Sequence, residues 1–236
     1  MKIRTLEELD SALDADLSWR KHEISLIVTS VFQAKGRVKL TMKRAAITLM
    51  YSHWEGYVKK SSEIYLAYLN RLAPKYCNMK DNFSHISLKN KFNKGFTLKK
   101  YNSQKEIFDY ITNGLDCGFN VNYEDVIDTE SNLKSEQFSN ILSQLGLDMQ
   151  PFELKFNFID QKLIKNRNAI AHGEFVSDKD VDDAYGEIST HLLALIETFH
   201  NMIKTAASNK EYLKEKTDVK DQLVSPLPLQ QLGVSS

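Results

Sequence analysis

The amino-acid sequence predicts an all-α protein, a bundle of long antiparallel helices that carries an irregular, partly helical insertion. Apolar residues recur at helical spacing in two long segments near the N-terminus and in one near the C-terminus. Only nine Gly and four Pro occur among the 236 residues, so few positions would interrupt a helix. We expect one helical domain over 1–207, with the insertion at 75–135, and a flexible C-terminal tail over 208–236.

The first helix is predicted to run from Leu6 to about Phe32. Thr5 and Glu8 have the spacing of a capping box, in which two side chains satisfy backbone N–H groups of the first helical turn. Apolar residues then recur every three or four positions, which places them on one face of the helix.

A second long helix is predicted from about Leu40 to Ala73, after a connection over 33–39 that contains Gly36. Pro74 ends it, because proline lacks the N–H group that a helix interior needs and clashes with the preceding turn. Two long helices joined by a short connection are expected to pack as an antiparallel hairpin.

The insertion is harder to assign, because Asn and Gly residues that favour turns are scattered through it. We predict short helices over 103–113 and 86–92. A further helix over 135–145 is expected to end at Gly146, since glycine readily adopts the left-handed conformation that follows many helices.

Two helices are predicted in the remainder of the domain. The first lies within 151–171 and can be ended by Gly173. The second spans about 178–207 and begins with Ser177 and Asp180, which have the spacing of an N-terminal cap.

The most informative motif lies at the end of the first of these helices, where Arg167 and Asn168 are followed by Ala-Ile-Ala and then His172. Arginine binds phosphate through a planar cation that stays protonated, and histidine transfers protons near neutral pH. Asn168 could position a hydroxyl group or hold the imidazole in one tautomer. On a straight helix Arg167 and His172 point about 140° apart. A long arginine side chain, an early helix end or a second subunit must therefore bring them together.

This segment resembles the Arg-polar-x-x-x-His signature of HEPN domains. The segment around Trp54, Glu55 and Gly56 is similar to the tryptophan-glutamate-glycine helix of the MAE-type HEPN-like nucleases. The resemblance covers roughly 5–206, loosely within the insertion. It implies a metal-independent endoribonuclease that cleaves RNA by attack of the 2′-hydroxyl and acts as a homodimer. It also implies a toxin or anti-phage effector restrained by an antitoxin or sensor protein.

On this interpretation Arg167, Asn168 and His172 are the catalytic residues, and Glu55 and His53 are accessory candidates. Glu55 could instead form a structural ion pair with Arg167 or with Lys59. Trp54 and Tyr57 are expected to be core or interface residues.

The charge distribution is uneven although the formal net charge is zero. Between positions 35 and 105, Lys and Arg outnumber Asp and Glu by 16 to 3, and between 106 and 160 the acids predominate by 11 to 2. A basic region of this size can neutralise the phosphates of RNA, or it can simply keep helix faces in solution. We predict RNA contacts at Lys39, Lys43, Lys59 and Lys60.

Other chemistries lack their motifs. No glycine-rich phosphate loop, serine-hydrolase motif or zinc-ligand spacing occurs, so we expect neither a metal nor a cofactor. Cys77 and Cys117 are expected to stay reduced. No apolar run is long enough to span a membrane and no signal peptide is recognisable, so a cytoplasmic protein is expected.

Two alternatives to the nuclease stay open. A HEPN fold without catalysis could serve dimerisation or the binding of a partner protein or nucleotide. A ligand-responsive regulator is the weaker alternative, because no phosphate-binding loop is visible.

Overall fold

The structure is a computed structural model that describes residues 2–91, 97, 99–130 and 132–215, except for the side chains of 89–91. These residues form helices and no named strand, which confirms the predicted all-α class. The helices are α1 (Leu6–Gln33), α2 (Gly36–Leu72), α3 (Asp81–Lys91), α4 (Tyr101–Asn113), α5 (Tyr123–Val126), α6 (Ser135–Leu145), α7 (Gln150–Glu153), the π-helical segment Phe158–Ile164, α8 (Lys165–Ala171) and α9 (Asp178–Ser208).

The predicted antiparallel hairpin of α1 and α2 is tighter than the sequence suggests. The hydroxyl of Thr5 accepts a hydrogen bond from the backbone N–H of Glu8 at 3.2 Å, as the capping box predicts. The second helix, however, begins at Gly36 and not at Leu40, so only two residues separate the helices. Gly36 has φ of +54°, a conformation that glycine adopts at little cost. The predicted start at Leu40 is therefore four residues too late, because Gly36 begins the helix and is not part of the connection.

Helix α2 is the centre of the bundle and packs against both α1 and α9. Its Trp54 is fully buried, with the ring centroid 4.9 Å from that of Phe138 on α6. Phe138 in turn makes edge-to-face contacts with Phe152 on α7, at 4.8 Å, and with Phe199 on α9, at 5.5 Å. Rings at these distances and angles attract one another beyond the area that they bury. Trp54 is thus a core residue, as predicted.

The insertion folds onto the bundle through short helices. Helix α3 packs against α5 and α6, and both predicted insertion helices are present, although α3 and α4 each begin earlier than predicted. The Asn70 carboxamide on α2 forms two hydrogen bonds to the insertion. It donates to the Val121 carbonyl at 2.7 Å and accepts from the Val121 N–H at 3.0 Å. Phe92, the predicted end of one helix, lies outside the described residues.

The last long helix begins as predicted, with the Ser177 hydroxyl accepting a hydrogen bond from the Asp180 N–H. Ordered packing continues past position 208: Tyr212 is buried and its carbonyl accepts from the Lys80 N–H at 2.9 Å. The predicted flexible tail otherwise falls on 216–236, outside the described residues. No helix in the described part of the chain is long and apolar enough to cross a membrane.

Candidate active site

The Arg-polar-His motif occupies the short helix α8 and the turn that ends it. The backbone N–H of Gly173 donates to the Ile170 carbonyl at 3.1 Å, and that of Glu174 donates to the Ala169 carbonyl at 2.9 Å. Together with φ of +73° at Gly173, these bonds form a Schellman motif. The helix therefore ends at Gly173 as predicted, and it leaves His172 at its last turn with an exposed side chain.

The guanidinium of half-buried Arg167 is hydrogen-bonded through one of its nitrogens. Its Nη1 donates to the Oδ1 atoms of Asn132, at 3.1 Å, and of Asn168, at 2.7 Å. Its Cζ lies 4.6 Å from the centroid of the Tyr51 ring, within cation–π range. No described residue accepts a hydrogen bond from Nη2 or Nε. These two nitrogens form the edge of a guanidinium that binds two phosphate oxygens at once.

Tyr51 joins three parts of the chain beneath this arginine. Its ring is fully buried and its hydroxyl accepts a hydrogen bond from the backbone N–H of Leu133 at 2.7 Å. Burial raises the pKa of Tyr51 to about 12, and the neighbouring Glu55 carboxylate raises it further through its charge and as a hydrogen-bond acceptor. The hydroxyl is therefore protonated at neutral pH and serves as a hydrogen-bonding group, not as a base.

A second attachment fixes the helix that carries the motif. The Asp160 carboxylate accepts hydrogen bonds from the backbone N–H of Ser135, at 2.8 Å, and from its hydroxyl, at 2.6 Å. A carboxylate is favourable there, because the N-terminus of α6 presents unpaired N–H groups and a partial positive charge. Asp160 belongs to the π-helical segment that leads directly into α8, so this contact ties the motif to α6.

The two polar residues of the motif beside Arg167 have different surroundings from those expected. The Asn168 carboxamide oxygen accepts from Arg167, so Asn168 does not orient the imidazole of His172 through this oxygen. The His172 side chain forms no hydrogen bond or ion pair with any described residue, and only its backbone N–H is bonded, to the Asn168 carbonyl at 2.9 Å. Within one chain the motif therefore presents an oriented arginine and an unattached imidazole.

The accessory candidates divide between two faces of α2. Glu55 is half-buried and lies near Tyr51 and hence near Arg167, but no ion pair joins it to Arg167 or Lys59 in the described part of the chain. His53 faces α1: its Nε2 lies 3.1 Å from a Glu23 carboxylate oxygen.

The imidazole of His53 is also in contact with the Trp19 ring, edge to face. Burial lowers the pKa of His53 despite the opposing charge of Glu23, so the neutral imidazole donates to that carboxylate. The structure thus brings Glu55 to the candidate site and places His53 among residues of α1.

The predicted RNA-contacting lysines also differ from one another. Lys43 forms an ion pair with Asp182 at 2.7 Å and lies 5.6 Å from the Tyr185 ring, so its charge is already partnered. Lys59 and Lys60 are exposed, and Lys39 is half-buried. Of the four, Lys59 and Lys60 are the most accessible to an anionic ligand.

A cavity of about 460 Å³ lies between α8 and the start of α9, lined by side chains of both charges, Lys162, Lys165, Asp180 and Asp183 among them. Arg167, Asn168 and His172 do not line it, and its mixed charge gives no single ligand class. Among the described residues, no group of three or more His, Cys, Asp or Glu side chains could hold a metal ion.

Three residues that contribute to this site, Tyr51, Asn132 and Asp160, were not predicted from the sequence. Tyr51 carried a usable signal, because it lies four residues before Glu55 and so on the same face of α2. Asn132 carried none, since it lies 35 residues before Arg167 within the insertion.

A model of the family described as RiboL-PSP-HEPN matches residues 15–205 of the chain, a span that includes α2, the candidate site and most of α9. Comparison with curated proteins and comparison with solved structures find no match. The family match supports the predicted HEPN resemblance and does not specify the MAE-type subgroup.

Proposed function

Because the chain belongs to the RiboL-PSP-HEPN family, we propose that it is a metal-independent endoribonuclease of the HEPN type. The observation that carries the proposal is that Nη2 and Nε of Arg167 have no acceptor among the described residues, on a short helix that ends at an exposed His172. This pair supplies a phosphate-binding cation and a group that exchanges protons near neutral pH.

The proposed reaction uses the nucleophile that RNA itself carries. A base removes the proton of the 2′-hydroxyl, and the 2′-oxygen attacks the adjacent phosphorus. The bond from phosphorus to the 5′-oxygen breaks, and an acid protonates that oxygen. Arg167 stabilises the additional negative charge on the phosphate in the transition state. The products are a 2′,3′-cyclic phosphate and a 5′-hydroxyl end.

We propose that the active form is a homodimer, because one imidazole is poorly suited to act as base and acid in the same step. The chain also has an apolar surface, on the side of α2 that His53 and its partner Glu23 occupy. A groove of about 290 Å³ lies between α1 and α2, with Leu26 and Leu49 exposed by 53% and 46% beside it. Contiguous apolar surface of this kind commonly marks a protein–protein interface. We further propose a cytoplasmic toxin or anti-phage effector that an antitoxin or sensor protein restrains.

This groove favours the alternative function, a non-catalytic HEPN module that binds a partner protein. The two functions differ in one observable, which is whether the pure protein cleaves RNA. Binding to a partner would need the groove but neither Arg167 nor His172.

The test is incubation of purified protein with total RNA in EDTA, followed by analysis of the new ends. The proposal requires cleavage without metal that yields cyclic phosphates and 5′-hydroxyls, and loss of cleavage in the His172→Ala variant. His22→Ala is the matched control, because His22 is exposed on α1 outside the site. Intact RNA with the wild-type protein would favour the binding module, and cleavage by His172→Ala at the wild-type rate would refute His172 as a catalytic residue.

A further inference from the structure

We propose that Asn132 is a positioning residue for Arg167, so that the insertion sets the orientation of the phosphate-binding guanidinium. This proposal rests on the proposed endoribonuclease function and adds to it a residue that the motif does not contain. Its starting point is the hydrogen bond from Arg167 Nη1 to Asn132 Oδ1 at 3.1 Å.

The hydrogen bonds of Arg167 determine which edge of the guanidinium remains without a partner among the described residues. Nη1 carries two hydrogens, and the oxygens of Asn132 and Asn168 accept both. The Tyr51 ring lies beside the guanidinium at 4.6 Å. Rotation that moved Nη1 away from Asn132 would also turn the Nη2–Nε edge away from its present direction, because the guanidinium is planar and rigid.

Among the three groups around Arg167, Asn132 is the hydrogen-bond acceptor that comes from outside the helix of the motif. Asn168 is the next residue in the chain, so its hydrogen bond orients the guanidinium relative to α8. The Tyr51 ring attracts the cation but imposes no hydrogen-bond direction. Asn132 supplies a directional acceptor from a different part of the chain.

The position of Asn132 is itself fixed by its neighbours along the chain. The next residue, Leu133, is buried and donates its backbone N–H to the Tyr51 hydroxyl at 2.7 Å. Ser135 donates two hydrogen bonds to Asp160, at 2.8 and 2.6 Å. The segment is therefore bonded both to α2 and to the helix that carries the motif. Displacement of this segment would remove the acceptor from Arg167.

The test compares kcat and KM for RNA cleavage in two variants at this position. Asn132→Ala removes the acceptor and should lower kcat by about 10- to 100-fold, as expected when a catalytic group loses its orientation. KM should change by less than about twofold, because phosphate binding in the ground state has many other sources. Asn132→Asp keeps an acceptor oxygen but adds a negative charge beside the phosphate-binding cation, so its kcat should lie between those of Asn132→Ala and wild type.

Two further proteins make the result decisive. Asn140→Ala is the matched control, since Asn140 is an exposed asparagine on α6 without a side-chain hydrogen bond to the described residues, and it should leave kcat unchanged. Asn132→Leu keeps the size of the side chain without the acceptor. It should match Asn132→Ala in kcat, and it replaces that variant if Asn132→Ala does not fold.

The possible failures are distinguishable. An active wild-type enzyme with equal kcat in Asn132→Ala, or in Asn132→Leu where that variant replaces it, overturns the positioning role while the proposed function stands. A loss confined to KM overturns it as well. An inactive wild-type protein refutes the proposed function and this inference with it.

Discussion

The guanidinium of Arg20 on α1 lies directly over Gly56 on α2. A Cβ atom at position 56 would be 2.9 Å from Arg20 Nη1, closer than two such atoms pack. Arg20 is buried, pairs with Asp16 at 2.7 Å and donates to the His53 carbonyl at 3.2 Å. The glycine of the Trp-Glu-Gly segment thus has a packing role: it admits a buried arginine between the two helices of the hairpin.

This contact predicts that Gly56→Ala destabilises the protein when Arg20 is present and does not when Arg20 is replaced. Gly56→Ala should lower the free energy of unfolding by about 1 kcal/mol, because overpacking typically costs about 1–3 kcal/mol and exceeds the gain in helix propensity of about 1 kcal/mol. In an Arg20→Met background the same change should be neutral or stabilising. Urea unfolding of the four proteins measures both effects. A similar destabilisation in both backgrounds would show that Arg20 is not the obstacle.

A second prediction concerns the shape of the cation at position 167. Arg167→Lys keeps the charge but replaces a planar group with a compact ammonium that cannot bind two oxygens in the same way. We expect kcat for RNA cleavage to fall by about 100-fold or more, in the range seen when a transition-state donor is removed. The control is Arg37→Lys, at an exposed position of α2, which should cleave RNA at the wild-type rate. Full activity in Arg167→Lys would mean that charge alone is sufficient.

The sequence predicted helix starts and ends well where the residues responsible lie within one turn of that start or end. The caps at Thr5 and Ser177 set the starts of α1 and α9, and Gly146 and Gly173 set the ends of α6 and α8. Each depends on hydrogen bonds between residues only a few positions apart, so the pattern is readable without tertiary structure.

The candidate site was predictable only in part, because some of its contacts join residues far apart in the sequence. The motif predicts Arg167 and His172 as candidates, but groups that contact Arg167 come from α2 and from the insertion. The pairing of Asn132 with Arg167 depends on how 35 intervening residues fold. The π-helical segment was also missed, because its hydrogen-bonding pattern has no simple sequence signature.

The exposed lysines predict how RNA affinity depends on salt. Replacing both Lys59 and Lys60 with Gln should reduce the slope of log K against log salt by roughly 1.4, since each contact to single-stranded RNA contributes about 0.7. Lys43→Gln should change the slope less, because Lys43 is already paired with Asp182. Binding to a fluorescent RNA, measured with catalytically inactive His172→Ala, gives these slopes. An unchanged slope in the double variant would assign these lysines to the solvated surface.

Two buried histidines predict that stability decreases at mildly acidic pH. Burial lowers the pKa of His53 and of His200, in each case against the opposing charge of a neighbouring acid. In the unfolded chain both imidazoles titrate near 6.5, so the unfolded state binds more protons between 6.5 and the lower folded pKa values. Stability should therefore be complete above about pH 6.5 and fall as the pH is lowered through that window.

Urea midpoints at pH 7.5 and 5.5 measure this effect. His53→Gln should show a smaller decrease than wild type, because it removes one of the titrating groups. His22→Gln, at an exposed position, should behave like wild type. Equal decreases in wild type and His53→Gln would exclude His53 as a source of the pH dependence.

The last prediction concerns assembly of the active site. Arg167 is turned toward Tyr51 and Asn132, whereas His172 is exposed and has no hydrogen-bond partner among the described residues. One subunit therefore presents one oriented cation and one unattached imidazole, and the proposed homodimer would supply a second of each. Mixing inactive Arg167→Ala subunits with inactive His172→Ala subunits should restore part of the activity, because each mixed dimer retains one intact Arg167 and one intact His172.

Sedimentation must first establish that the protein is a dimer at the concentration assayed, and mixing each variant with itself is the control. A monomer that cleaves RNA at full specific activity would contradict the shared site and would require a second proton-transfer group within one chain, for which Glu55, a neighbour of Tyr51, is a candidate.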